Sequence, residues 1–117
     1  MYQLDTPKLR KALSQLPRLY ETDGQNVKAY AHVKLFTPWS NWTWYVIEFD
    51  GDDVMYTFCV GFEAEFGYSS LKELNSVRSP LGLPVEQDLY FEPAAIREII
   101  LKEHIPYYYD GFEDMTK

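Results

Sequence analysis

Residues 27–62 read VKAYAHVKLFTPWSNWTWYVIEFDGDDVMYTFCVGF, and this stretch decides the fold. Three runs with a period of two lie in it. In 27–37, Val27, Ala29, Ala31, Val33 and Leu35 alternate with Lys28, Tyr30, His32, Lys34 and Phe36. In 42–50, Trp42, Trp44, Val46 and Glu48 share one face, and Thr43, Tyr45, Ile47 and Phe49 the other. In 54–62, Val54, Tyr56, Phe58, Val60 and Phe62 alternate with Met55, Thr57, Cys59 and Gly61. Alternation of this kind marks strands with two unlike faces. Pro38-Trp39-Ser40-Asn41 breaks the first run from the second. Asp50-Gly51-Asp52-Asp53 joins the second to the third, because Asp-Gly tolerates the left-handed backbone of a hairpin turn. Short connections favour antiparallel neighbours, so the prediction is a three-stranded meander.

Helical signals flank it. Thr6 is placed to cap a helix over 7–16, with Pro7 at its first position and Leu9, Leu13 and Leu16 on one face. Pro17 ends it. Ser70-Leu71-Lys72-Glu73 fits a capping box, with Leu71, Leu74 and Val77 as the buried side of a second helix. Leu89-Tyr90-Phe91 reads as a short edge strand, and Glu92-Pro93 opens a third helix that carries Ile96, Ile99 and Ile100 to about Glu103. The tail Tyr107-Tyr108-Tyr109-Asp110-Gly111-Phe112 is expected to dock on the body. The expected class is α+β: one domain over 1–117, a mostly antiparallel sheet, and three helices packed on one face.

Composition narrows the function. The chain has 117 residues, 46% hydrophobic and 25% charged, which describes a globular domain and excludes a disordered one. No run of about 18 apolar residues exists, so no membrane partner is expected, and no secretory signal is read at the start. The single cysteine, Cys59, excludes an internal disulfide framework and a cysteine-rich zinc site, and the cytoplasm is the expected compartment. Formal net charge is −7. Residues 35–71 contain six acids and no Lys or Arg, whereas the first third is basic. A negative field repels phosphate, so direct nucleic-acid binding is disfavoured and a cationic partner is favoured.

Several strings resemble a known family. They are Leu16-Pro17-Arg18-Leu19-Tyr20, the block from His32 through Thr37-Pro38-Trp39-Ser40-Asn41-Trp42 to Tyr45, Gly61-Phe62-Glu63-Ala64-Glu65-Phe66-Gly67-Tyr68, and Leu81 to Phe91. Together, over about 14–93, the chain resembles the bacterial domain-of-unknown-function family 2958. Ala64 stands where proline is expected and Ser69 where an aromatic is expected. The resemblance implies no catalytic residues. It implies an association with plasmids, phages and conjugative elements, and it leaves the helix at 93–103 mostly outside.

No cofactor or metal site is expected. There is no phosphate-binding glycine loop and no Gly-x-Ser-x-Gly elbow. Cys59 sits mid-strand, where a free cysteine is a small buried hydrophobe. The leading expectation is a non-enzymatic acidic protein of a mobile element, an anti-defence inhibitor that occludes a nucleic-acid-binding host protein. Its expected contacts are Trp39, Asp50, Asp52, Asp53, Glu63 and Glu65, carboxylates that mimic a phosphate row beside an aromatic anchor. Two alternatives stand beside it. One is a small-molecule or divalent-metal enzyme using Glu48, Asp50 and His32, since Glu48 and Asp50 fall about 7 Å apart on one strand face. The other is a structural accessory subunit or homodimer, joined through a sheet edge or the tyrosine tail.

Overall fold

The computed structural model describes residues 3–107. The meander is present and is extended on both sides. Strands β2 (Val33–Phe36), β3 (Thr43–Phe49), β4 (Val54–Val60) and β5 (Ala64–Ser70) follow one another antiparallel, and the two-residue β6 (Glu86–Gln87) pairs outside β2. The sheet order is β5-β4-β3-β2-β6. A second small ladder joins β1 (Tyr30–Ala31) to β7 (Ala94–Ala95). Helices α1 (Pro7–Leu13), α2 (Leu71–Ser76) and α3 (Ile96–Lys102) complete an α+β domain.

The helices divide between the two faces of the sheet and do not share one. Leu9 and Leu13 of α1 and Leu71 and Leu74 of α2 pack with Val33, Leu35, Trp44, Val46, Phe49 and Met55. Ile96, Ile99 and Ile100 of α3 pack on the opposite face with Tyr45, Ile47 and Phe58. Covering both faces explains why β3 is buried from Trp44 to Phe49 without interruption. A strand buried on both sides is largely apolar on both, here at every position from Trp44 to Phe49 but Glu48, so alternation there sorts the two faces without marking either as wet.

Two local irregularities reassign residues between faces. Register shifts between Val46 and Glu48, where Val46 faces Thr57 and Glu48 faces Tyr56. Ile47 is the extra residue of a β-bulge, which reverses the side-chain alternation after it. Phe49 therefore joins Trp44 and Val46 and not Tyr45, and Glu48 turns to the side of Tyr56. The run at 27–37 is also divided. Asn26–Lys28 is a short 3-10 turn, and the chain leaves the small ladder at His32 before entering β2. Val27, Ala29 and Ala31 thus serve the second face, and Val33 and Leu35 the first.

The caps follow chemistry. Thr6 Oγ1 accepts the Leu9 amide at 3.1 Å, with Pro7 at the first helical position, and the helix ends at Leu13. At α3, His104 takes a left-handed φ of 53°, while the Ile105 amide donates to Ile100 at 3.0 Å. That is a Schellman closure, which ends the helix before Pro106. Helix α3 starts at Ile96, later than the Glu92-Pro93 signal, because Ala94 and Ala95 are drawn into pairing with Tyr30 and Ala31. The expected strand at Leu89–Phe91 is a turn, since Asp88 Oδ1 accepts the Tyr90 amide at 2.9 Å; the edge pairing falls earlier, at Glu86 and Gln87. Val77 lies just beyond α2 and is exposed. Tyr107 reaches the second face edge-on to Phe58, at 5.1 Å between ring centres. Tyr108–Phe112 of the aromatic tail lie outside the described residues.

If both faces are core, truncation on either is costly. Leu13→Ala and Ile100→Ala, each fully buried, should each lose ~2–5 kcal/mol in urea unfolding. A helix layer on one face alone would leave one of the two near neutral.

Candidate functional site

Loop 17–24 crosses one end of the sheet and is tied there by Glu48. The Glu48 side chain is buried, at 1% exposure. Its Oε1 accepts the Tyr20 amide at 2.9 Å, and its Oε2 accepts the Thr22 amide at 2.8 Å and the Thr22 hydroxyl. Tyr20 is held with φ at 72°, a left-handed conformation that an aromatic residue adopts only under constraint. The Phe49 amide donates to the Pro17 carbonyl at 2.9 Å beside it. Glu48 is thus a loop anchor with its oxygens engaged.

The acidic turn that follows is wired internally too. Asp50 Oδ1 accepts the amides of Asp52 and Asp53, both at 2.8 Å. The Asp52 amide, foremost, holds the Asp50 carboxyl below the usual carboxylate range; burial opposes it, and the Asp53 and Val54 amides and Arg18 add to the lowering. Asp53 caps α2: its Oδ1 accepts the Lys72 amide and its Oδ2 the Ser70 hydroxyl, both at 2.7 Å, and its carbonyl accepts the Leu71 amide at 2.9 Å. Ser70 Oγ accepts the Glu73 amide at 3.1 Å, half of the expected capping box. Two cations from the basic first third stand over this turn. Arg10 Nη1 donates to the Asp52 carbonyl, and a Cβ built on Gly51 would meet the Arg18 guanidinium at 2.0 Å. The charge segregation along the chain is undone here by folding.

The predicted contact residues are accordingly not one patch. Asp50, Asp52, Glu63 and Glu65 are exposed, Asp53 is half-buried, and Asp50 and Asp53 also hold backbone amides. The turn at 50–53 and the hairpin at 61–63 lie at opposite ends of β4, about 27 Å apart at a strand's rise. Trp39 is half-buried against the first-face core, as is Trp42, which stacks on Trp44 at 6.1 Å. His32, half-buried beside Tyr30, has its pKa lowered by burial. Among the described residues no group of three or more His, Cys, Asp or Glu side chains is placed to hold a metal ion. Cys59 is half-buried, and burial, with Glu65 adding to it, pushes its thiol up to about 11, far from a reactive thiolate.

A concavity lies elsewhere, on the second face between β3, α3 and the turn before it. It has a volume of about 290 Å³. Tyr45 and Phe91 form its aromatic floor, with ring centres 5.9 Å apart. Glu92, Glu98 and Glu103 stand at its rim with Lys102. Lys34 enters from β2, its Nζ 5.8 Å from the Tyr45 ring centre and 3.7 Å from Asp88 Oδ2. Burial first, then Glu103 and Asp88, pushes the Tyr45 hydroxyl up to about 12. A shallower polar groove of about 270 Å³, with Thr37, Ser40, Asn41, Thr43 and Asp88, adjoins it and shares Lys34. Sequence reading missed this cleft. Its signal was the acid excess of the last third, which the α3 stripe of isoleucines overshadowed.

The family model described as Protein of unknown function (DUF2958) matches residues 4–100. The chain belongs to this family. The match takes in α1 and most of α3, so α3 is a family element and not an addition outside it. Neither the curated proteins nor the solved structures contain a match. No helix among the described residues is long and apolar enough to cross a membrane.

Two stability predictions follow from this wiring. Glu48→Ala should cost ~2–3 kcal/mol by leaving buried loop amides without an acceptor. Glu48→Gln should recover only part of that, because its NH2 group meets a donor; near-neutral behaviour of both in urea unfolding would contradict the anchor. Asp5, hydrogen-bonded to Arg10 at 2.9 Å, and Asp50 both have lowered pKa values in the fold. Their stabilisation is therefore present above the ordinary carboxylate pKa of about 3.9 and is lost as pH falls through the folded values. Asp50→Asn should flatten the acid limb of a stability–pH curve.

Proposed function

We propose that this protein is a non-enzymatic binding protein whose acidic surface engages a basic protein partner, of the kind that grips nucleic acid, and that the second-face cleft receives a Lys or Arg side chain of that partner. The observation that carries the reading is the cleft itself: the chain's own Lys34 already lies over the Tyr45 ring there, and the Phe91 ring stands beside it under Glu92, Glu98 and Glu103, three carboxylates at the rim against the single rim cation Lys102. A cation over an aromatic face gains from the ring quadrupole, and carboxylates at the rim complete its hydrogen bonds. The net charge of −7 supports the same partner class, by steering cations in and keeping phosphate away. The setting we propose is a mobile genetic element, with the protein acting in the cytoplasm to occlude a nucleic-acid-binding defence protein of the host.

The test is a titration of the isotope-labelled protein with a short arginine-rich peptide, followed by amide chemical shifts. Shifts should centre on Tyr45, Phe91 and Ile99 and shrink as salt is raised. Glu98→Lys with Glu103→Lys should weaken binding about tenfold or more. Reversal at Asp52, Glu63 and Glu65 should leave it nearly unchanged. Shifts centred on the 50–53 and 61–65 turns, or none anywhere, would overturn the assignment.

A further inference from the structure

Strand β5 is an edge of the five-stranded sheet, and among the described residues nothing pairs with its outer side. It is seven residues long and meets β4 in unbroken register from Ala64 to Ser70. The Leu71 amide donates to Asp53 and the Gly61 amide to Glu63, at 2.9 and 3.0 Å. These two bonds set the phase of the ladder. Odd-numbered residues of β5 turn their N–H and C=O groups toward β4, and Ala64, Phe66 and Tyr68 turn theirs outward with the N–H of Ser70, whose carbonyl opens α2. Sheet edges of soluble proteins are blunted by proline, lysine, bulges or a covering element. Here β5 contains no Pro and no Lys, and Glu65 is its only charged residue.

We infer that β5 is a self-association edge, on which a second copy of this chain adds its own β5 antiparallel about a two-fold axis at Gly67. The strand's order of residues argues for this occupant. With Gly67 opposite Gly67, Phe66 of one copy faces Tyr68 of the other, Ala64 faces Ser70, and Glu65 faces Ser69. This register engages the outward backbone groups of Ala64, Phe66 and Tyr68 and the Ser70 N–H in both copies; the Ser70 carbonyl is taken by the first turn of α2. It places no acid opposite an acid. A register centred on Glu65 would set two carboxylates face to face, which is destabilising. The two Phe66–Tyr68 pairs extend an aromatic ladder already present within one copy, where Tyr56 lies 5.9 Å from Phe66 and 5.1 Å from Tyr68. Tyr68 is 53% exposed, and a Cβ on Gly67 would meet nothing within 4 Å, so among the described residues neither face of the strand is covered at its centre. The interface is isologous and closes at a dimer. It lies apart from the Tyr45 cleft and does not depend on the binding role proposed for that cleft.

The test is sedimentation equilibrium of the full chain with two substitutions at one position. Ser69→Lys places a cation opposite Glu65 twice per dimer and should tighten the dimer about fivefold, and Ser69→Glu should weaken it by a similar factor. A merely structural effect at Ser69 would move both variants the same way. Gly67→Cys places two thiols across the axis, at a Cα separation of about 4.5 Å that a disulfide spans, so oxidation should give a covalent dimer. A monomer at all concentrations overturns the inference. So does a dimer indifferent to the sign at position 69 that Gly67→Cys fails to cross-link, since its interface is elsewhere. Concentration-independent exchange protection of the Phe66 and Tyr68 amides would show that the chain's own residues 108–117 occupy the edge, and would overturn it as well.

Discussion

Everything at one end of this fold depends on a buried carboxylate that has been turned by an extra residue. The bulge at Ile47 reverses the alternation of β3, so that Phe49 enters the first-face core and Glu48 turns the other way. Glu48 then gathers the amides of Tyr20 and Thr22, and the loop that links the first helix to the sheet is held in a conformation it would not adopt alone. A buried carboxylate is costly unless its lone pairs are engaged. Backbone amides meet that requirement here, so the group serves the fold and is not left facing solvent as a ligand.

The same economy governs the acidic turn. Asp50 and Asp53 look like surface charge in the sequence, yet one closes the hairpin and the other caps α2. Asp residues do this readily because a short side chain reaches amides two or three residues on, or the first turn of a helix packed alongside. Arg10 and Arg18 then stand over what remains. Exposed carboxylates remain at Asp52, Glu63 and Glu65, and on the α3 side Glu98 and Glu103 stand by the Tyr45–Phe91 floor. The acid excess of the chain is real, but its place on the surface is set by which acids the backbone has not already engaged.

Two readings succeed at the sequence level because their causes are local. Thr6-Pro7 and Ser70 through Glu73 mark helix starts, since a cap acts within three residues of itself. The Asp50-Gly51 hairpin and the alternation of β3 and β4 give the meander. The failures have non-local causes. The bulge appears only when β3 is laid against β4. The delayed start of α3 depends on Ala94 and Ala95 pairing with Tyr30 and Ala31, more than sixty residues earlier in the chain. Trp39 carries no mark in sequence that distinguishes an exposed anchor from a half-buried one.

By itself, then, the amino-acid order determined the class, the central meander, the sheltered cysteine and the sign of the surface charge, because periodicity, turn chemistry and composition act over a few residues or over the whole. Tertiary structure alone decided that helices cover both faces, that Glu48 anchors a loop, and that Tyr45, Phe91, Glu98 and Glu103 meet around one cleft. Tyr45 lies more than forty residues before Phe91, Glu98 and Glu103. Their meeting follows from strand register and helix docking, which depend on partners that no short window of sequence contains.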